Sequence, residues 1–221
     1  MSLAGLLAIL HDDPQLTEAI ASSTERDRPA PPLLAGEDLV APPSLRPLLA
    51  AALARRGGDP VRAAQPGFVL AVTATAREAG DLAAALGSLL PAGSVAVFPA
   101  WETLPHERLS PRSDTVGQRI AVLRRLAHPA GPGEPDGPLT VVVAPVRSLL
   151  QPVVAGLGDL EPVSLRAGQS CDLDELLTRL VDIGYSRADL VGARGEIAVR
   201  GGIVDVFPPT EEHPLRVEFF G

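Results

Sequence analysis

Phe68-Val69-Leu70-Ala71-Val72 is a short apolar run, β-branched and aromatic in character, that leads into Thr75-Ala76-Arg77-Glu78. A threonine and a glutamate three positions apart are the two halves of a capping box, in which each side chain satisfies a backbone N–H at a helix start. The pair therefore reads as a strand followed by a helix, and Leu82, Leu86 and Leu89 continue as that helix's buried stripe. Toward the carboxyl end, Val95-Ala96-Val97-Phe98 predicts a second strand. Val116, Ile120 and Leu123 fall at i, i+4 and i+7 of an amphipathic helix, and Thr140-Val141-Val142-Val143 predicts a third strand. Apolar strands alternating with helices predict an α/β domain whose parallel sheet is covered on both faces. The proline- and glycine-rich stretch 128–138 reads as a mobile connection on composition alone.

After about Gly158 the pattern changes. Asp172 and Glu175 repeat the capping-box spacing, Leu173, Leu176, Leu177 and Leu180 form a helical stripe, and Gly184 is placed to end it. One strand is predicted over Glu196 to Val199, resuming at Ile203 to Phe207, with Gly201-Gly202 as a bulge. It pairs antiparallel with Leu215 to Phe220 across the turn-rich stretch 208–214. These signals divide the chain into an α/β domain over 1–158 and a smaller α+β domain over 159–221 that the chain end cuts short. The amino-terminal run through Leu10 reads as a helix packing on the body.

Composition bounds the function. With 46% hydrophobic residues, the 221-residue chain has enough apolar material for a sizeable core. All 19 basic residues are arginine, so arginine frequency reflects a compositional bias and carries little functional weight. A net charge of -8 argues against gripping nucleic acid, which is largely electrostatic and wants a basic surface. Arg124 and Arg125 accordingly read as a solvated helix face. Cys171 is the single cysteine and forms neither a disulfide nor a metal site alone, which predicts a reduced, cytoplasmic setting. No apolar run reaches the length of a membrane span. His11, His106, His128 and His213 lie in no motif with a nucleophile or a metal-binding partner, and Glu102, Glu107 and Asp114 have no spacing that fixes a metal geometry. No catalytic residue and no metal site is predicted.

Two stretches are more specific than a fold class. Phe98-Pro99-Ala100-Trp101-Glu102-Thr103-Leu104-Pro105, continuing through Ser110-Pro111 and Asp114 to Arg119, resembles the UvrB-like segment of the transcription-repair coupling factor (Mfd) family. Gly195-Glu196-Ile197-Ala198-Val199-Arg200-Gly201-Gly202-Ile203-Val204-Asp205-Val206-Phe207-Pro208, followed by Pro214-Leu215-Arg216-Val217-Glu218-Phe219-Phe220, resembles the next domain of the same family. The resemblance implies a first domain shaped like a helicase half and a second that binds UvrA. It implies DNA repair by transcription-coupled nucleotide excision, with RNA polymerase and double-stranded DNA as partners of other domains. The family's ATP- and magnesium-dependent translocase motor lies in those domains, one of which masks the UvrA-binding face.

A phosphate-cradling loop needs permissive glycines, a lysine and a Ser/Thr. Where the resemblance places it stands Leu39-Val40-Ala41-Pro42-Pro43-Ser44-Leu45-Arg46, in which Pro42 and Pro43 are rigid and lack N–H donors. This degenerate loop, with Arg46 as its single cation, predicts no ATPase and no cofactor in the segment; the alternatives are an active UvrB-type ATPase and a stand-alone DNA binder. Trp101 reads as an anchor between strand and loop.

Strand alternation puts Leu215, Val217 and Phe219 on one face, toward the core, and Arg216, Glu218 and Phe220 on the other. Arginine beside an exposed aromatic is the composition of protein-binding hot spots. The resemblance assigns Arg200, Arg216 and Phe220 to the UvrA-binding surface. The competing reading pairs Arg216 with Asp205 across the hairpin and covers Phe220 with further chain.

Overall fold

A computed structural model of the chain describes residues 40–55, 68–103, 110–131 and 137–220, with Pro14 and Glu18 besides. The expectations for the amino-terminal run, His11, His106, Glu107 and the centre of the 128–138 stretch lie outside the described residues. In chain order the elements are α1 (Arg46–Arg55), β1 (Val69–Thr73), α2 (Ala76–Gly87), β2 (Val95–Val97), α3 (Ser113–Ala127), β3 (Val141–Pro145) and α4 (Val146–Leu150). After them come α5 (Leu173–Asp182), β4 (Ser186–Arg187), β5 (Glu196–Arg200), β6 (Ile203–Val206) and β7 (Leu215–Glu218). The described residues fall into two compact units, one within 1–98 and 129–150, the other within 99–128 and 151–221. Helix α3 thus groups with the second unit, whereas the domain boundary expected at 158 places it with the first.

The first unit is a parallel three-stranded sheet in the order β1-β3-β2, with Leu70 opposite Val142 and Ala96 opposite the same residue on the far side. β3 is central and buried throughout, which is why its sequence is continuously apolar. Helix α2 starts as expected. Thr75 Oγ1 accepts the Glu78 N–H at 3.2 Å, and the Glu78 carboxylate accepts the Ala74 N–H at 3.2 Å. Leu86 and Leu89 pack with Ala51 and Ala54 of α1 onto Val141 and Val143. Each buried leucine contributes on the order of 2 kcal/mol. The expectation of cover on both faces needs correction at β1, where Leu70 and Val72 are exposed.

The second unit holds a four-stranded sheet in the order β4-β5-β6-β7. Asp172 caps α5 by accepting the Glu175 N–H at 2.9 Å, a contact worth about 1 kcal/mol. Leu176, Leu177 and Leu180 then pack on Ile197, Val204 and Val206. Gly184, at φ +104°, follows the helix in the left-handed region as expected. β4, pairing parallel with β5, is an element that local sequence does not predict.

The bulge expected at Gly201-Gly202 is a hairpin turn instead. Arg200 pairs with Ile203, so these two glycines alone form the loop, and of the two only Gly201 has positive φ, +58°. That is the glycine placement of a type II′ turn, whose twist suits a tight hairpin. Helix α3 is also rotated from expectation. Its most buried residues are Arg119 and Val122, while Val116, Ile120 and Leu123 are half-buried.

Candidate protein-binding face

The register of β5, β6 and β7 decides which side chains share a face. Residues directly opposite each other across a ladder point the same way, and successive residues alternate. Ala198, Asp205 and Arg216 form one cross-strand row, and Arg200, Ile203 and Glu218 the next. Val199, Val204 and Val217 occupy the opposite face, against α5. Arg200 and Arg216 therefore lie on the solvent side of one sheet, both exposed.

Phe220 is 88% exposed. β7 ends at Glu218, but the Phe219 N–H still donates to the Gly202 carbonyl at 2.8 Å, so alternation persists past the strand end. Phe219 consequently turns toward the core and Phe220 away from it. The approach of the chain here makes Gly202 a tight position, where a Cβ would sit 3.0 Å from the Phe219 carbonyl oxygen. Leu215 departs from the expected core set: at the far end of β7 it is 52% exposed.

The cross-hairpin pairing of Arg216 with Asp205, the competing reading, is present. Arg216 Nε and Nη2 donate to Asp205 Oδ1 and Oδ2 at 2.7 and 2.9 Å, a parallel pair across the β6-β7 ladder. The Arg216 side chain nonetheless remains 60% exposed while Asp205 is 19% exposed. These hydrogen bonds hold the Asp205 carboxyl below its ordinary range, with Coulombic help from Arg216 and Arg200, and push the Arg216 guanidinium further up. Arg200 Nη2 donates to the Asp189 carbonyl at 3.2 Å. The stretch Leu165–Cys171 and the residues from Arg216 to Phe220 line a groove of about 660 Å³ beside this edge strand.

Pro42 and Pro43 open a 3-10 turn, Pro43–Leu45, that runs into α1, with no side-chain cap. Arg46 at the start of α1 is exposed. Trp101 is clamped on two sides, as its reading as an anchor requires: its N–H and C=O bond the Gln151 amide at 2.7 and 3.1 Å, and the Arg119 guanidinium lies 4.3 Å from its ring centroid. Glu102 accepts the Arg112 N–H at 2.6 Å, and Asp114 pairs with the Arg112 guanidinium at 2.9 Å. Among the described residues, no three His, Cys, Asp or Glu side chains gather, and no helix is long and apolar enough to cross a membrane.

Two contributors escape the sequence pattern. Glu196 accepts the Gly192 and Ala193 N–H groups at 2.8 Å each, which lowers its pKa and fixes the entry to β5. Arg194 stacks over Phe207 at 5.2 Å and donates to the Glu211 carbonyl at 3.0 Å, tying that loop to the β6-β7 connection. A glutamate beginning a strand is the one local hint of the first.

Residues 163–221 match the family model of the UvrB interaction domain. The transcription-repair-coupling factors of Mycobacterium tuberculosis and Mycobacterium bovis are 54% identical over 183 residues, 83% of this chain. That of Bacillus subtilis is 36% identical over 61% of it. UvrABC system protein B of Streptomyces coelicolor is 35% identical over 71% of the chain and 22% of its own length. The chain spans 14% of the length of the mycobacterial proteins. Identity at this level, carried across both units, exceeds what a shared fold accounts for, and the chain belongs to the transcription-repair-coupling factor family.

Proposed function

We propose that this chain is the UvrA-docking segment of a transcription-repair coupling factor, an adaptor that brings nucleotide excision repair to an RNA polymerase stalled at DNA damage. One observation carries the reading: Arg200 and Arg216 share a solvent face, and Phe220 stands 88% exposed nearby, all within the stretch that matches the UvrB interaction domain. An exposed phenylalanine supplies desolvated area, and arginines supply directed donors. The parallel sheet of the first unit is read as a degenerate helicase-like half. Pro42, Pro43 and Arg46 stand where UvrB keeps its phosphate loop, so the segment binds no ATP. In the whole protein, an ATP- and magnesium-dependent motor acting on double-stranded DNA, an RNA-polymerase-binding domain and a carboxy-terminal mask for the UvrA face belong to the remaining chain, in the cytoplasm.

Affinity for UvrA tests the face. The parent binds, and Arg200→Ala, Arg216→Ala and Phe220→Ala each weaken binding by about thirtyfold, equivalent to about 2 kcal/mol, without unfolding. Unchanged binding by all three rejects the face. Similarity to UvrABC system protein B favours one second reading, an active ATPase. Saturable, magnesium-dependent binding of a fluorescent ATP analogue establishes it; its absence is expected.

A further inference from the structure

We infer that Asp205 is a positioning residue for recognition, holding the Arg216 guanidinium by one edge so that its other edge presents a two-pronged donor to a carboxylate on the partner. The inference rests on the UvrA-docking reading and adds to it the chemistry of the group that is recognised.

A guanidinium offers its N–H donors along a side-on edge, formed by Nε and Nη2, and an end-on edge, formed by Nη1 and Nη2. Asp205 takes the side-on edge, at 2.7 and 2.9 Å. The remaining N–H groups diverge from Asp205, and one each on Nη1 and Nη2 run parallel, spaced for the two oxygens of a second carboxylate. Asp205 is suited to this service because it does not move with the arginine. It sits on β6 directly opposite Arg216, inside the ladder between β5 and β7, and is the less exposed partner. A long side chain ordered in advance loses less freedom on binding than one ordered by the partner.

Charge counting points to a carboxylate rather than a polyanion. By strand alternation the face carries Arg200 and Arg216 against Glu196, Asp205 and Glu218, so its formal charges sum to -1, in a chain of net charge -8. Diffuse attraction for a phosphate backbone needs a net positive field, which this face lacks. Directed hydrogen bonding to one carboxyl group does not.

The two mechanisms predict opposite signs for a single substitution. If the face acted through net positive charge, Asp205→Asn would strengthen binding; if Asp205 positions Arg216, it weakens binding. We expect Asp205→Asn to lower affinity for UvrA at least about tenfold, the scale of one charge-assisted hydrogen bond. The loss vanishes in the Arg216→Ala background, a coupling that a general structural role of Asp205 does not produce. Arg216→Lys keeps the charge but not the fork and loses affinity similarly; this exposed position gives the same reading should Asp205→Asn melt early. Unchanged or tighter binding by Asp205→Asn, or full binding by Arg216→Lys, overturns the inference while a deleterious Arg216→Ala leaves the docking face standing. Parent-like binding by Arg200→Ala, Arg216→Ala and Phe220→Ala together removes the face and the inference with it.

Discussion

Gly117 of α3 and Pro209 of the β6-β7 connection meet so closely that a Cβ built on Gly117 lies 2.4 Å from the Pro209 Cβ. The helix therefore seats directly on the connection that joins β6 and β7, two of the three strands of the candidate face. A mid-helix glycine ordinarily costs about 1 kcal/mol relative to alanine, so Gly→Ala in a helix usually stabilises. Here the sign reverses. Overpacking against a rigid proline costs about 1–3 kcal/mol, and Gly117→Ala lowers the melting temperature followed by fluorescence of Trp101, the single tryptophan. Gly80 in α2 is the internal control, because nothing lies within 4 Å of the place an alanine methyl would occupy there. Gly80→Ala raises stability by about 0.5–1 kcal/mol, read by far-ultraviolet circular dichroism. A stabilised Gly117→Ala removes the contact as an explanation for that glycine.

Arg119 is fully buried, with its Nη1 donating to the Pro99 carbonyl at 2.6 Å and its guanidinium over Trp101. Replacement by methionine keeps most of the stem volume but removes the charge and its donors. Losing a charge-assisted hydrogen bond and a desolvated cation–π contact costs about 2–4 kcal/mol. Trp101 emission then shifts and the melt moves down together; a shift in neither places the stability of the 99–103 stretch elsewhere, in the Gln151 amide bonds.

Legibility in the sequence followed the range of the interaction. Thr75 and Asp172 are recognisable as helix starts because their partners, Glu78 and Glu175, lie three residues away. Phe219 and Phe220 are separable because side-chain alternation is a geometric property of the strand itself. Arg119 is not recognisable, since an arginine on a helix reads as solvated until a carbonyl and an indole from a distant stretch face it. β4 exists only through its pairing with Glu196 and Ile197, and two residues carry no period. Gly201-Gly202 fits a bulge as well as a turn, because both use glycine's conformational freedom. Register decided between them. At the face, the hairpin spacing allows both readings of Arg216, and the ladder fulfils the ion pair while leaving the arginine exposed.

The Asp205–Arg216 pair also has a pH signature. Hydrogen bonding to Arg216 depresses the Asp205 pKa, so its stabilising contribution is fully present above the unfolded-state value, about 3.9. It is lost as pH falls through the lower folded-state value. The stability difference between the parent and Asp205→Asn therefore stays constant from neutrality to about pH 5 and closes under more acid conditions. Carbon-detected titration of the Asp205 carboxyl checks the cause. The midpoint lies below the ordinary aspartate range in the parent and returns toward it in Arg216→Ala; because Arg200 contributes only the smaller Coulombic share, Arg200→Ala moves it less. An ordinary midpoint in the parent would mean that the two hydrogen bonds do not persist in solution, and Arg216 would then reach any partner without a prepared edge.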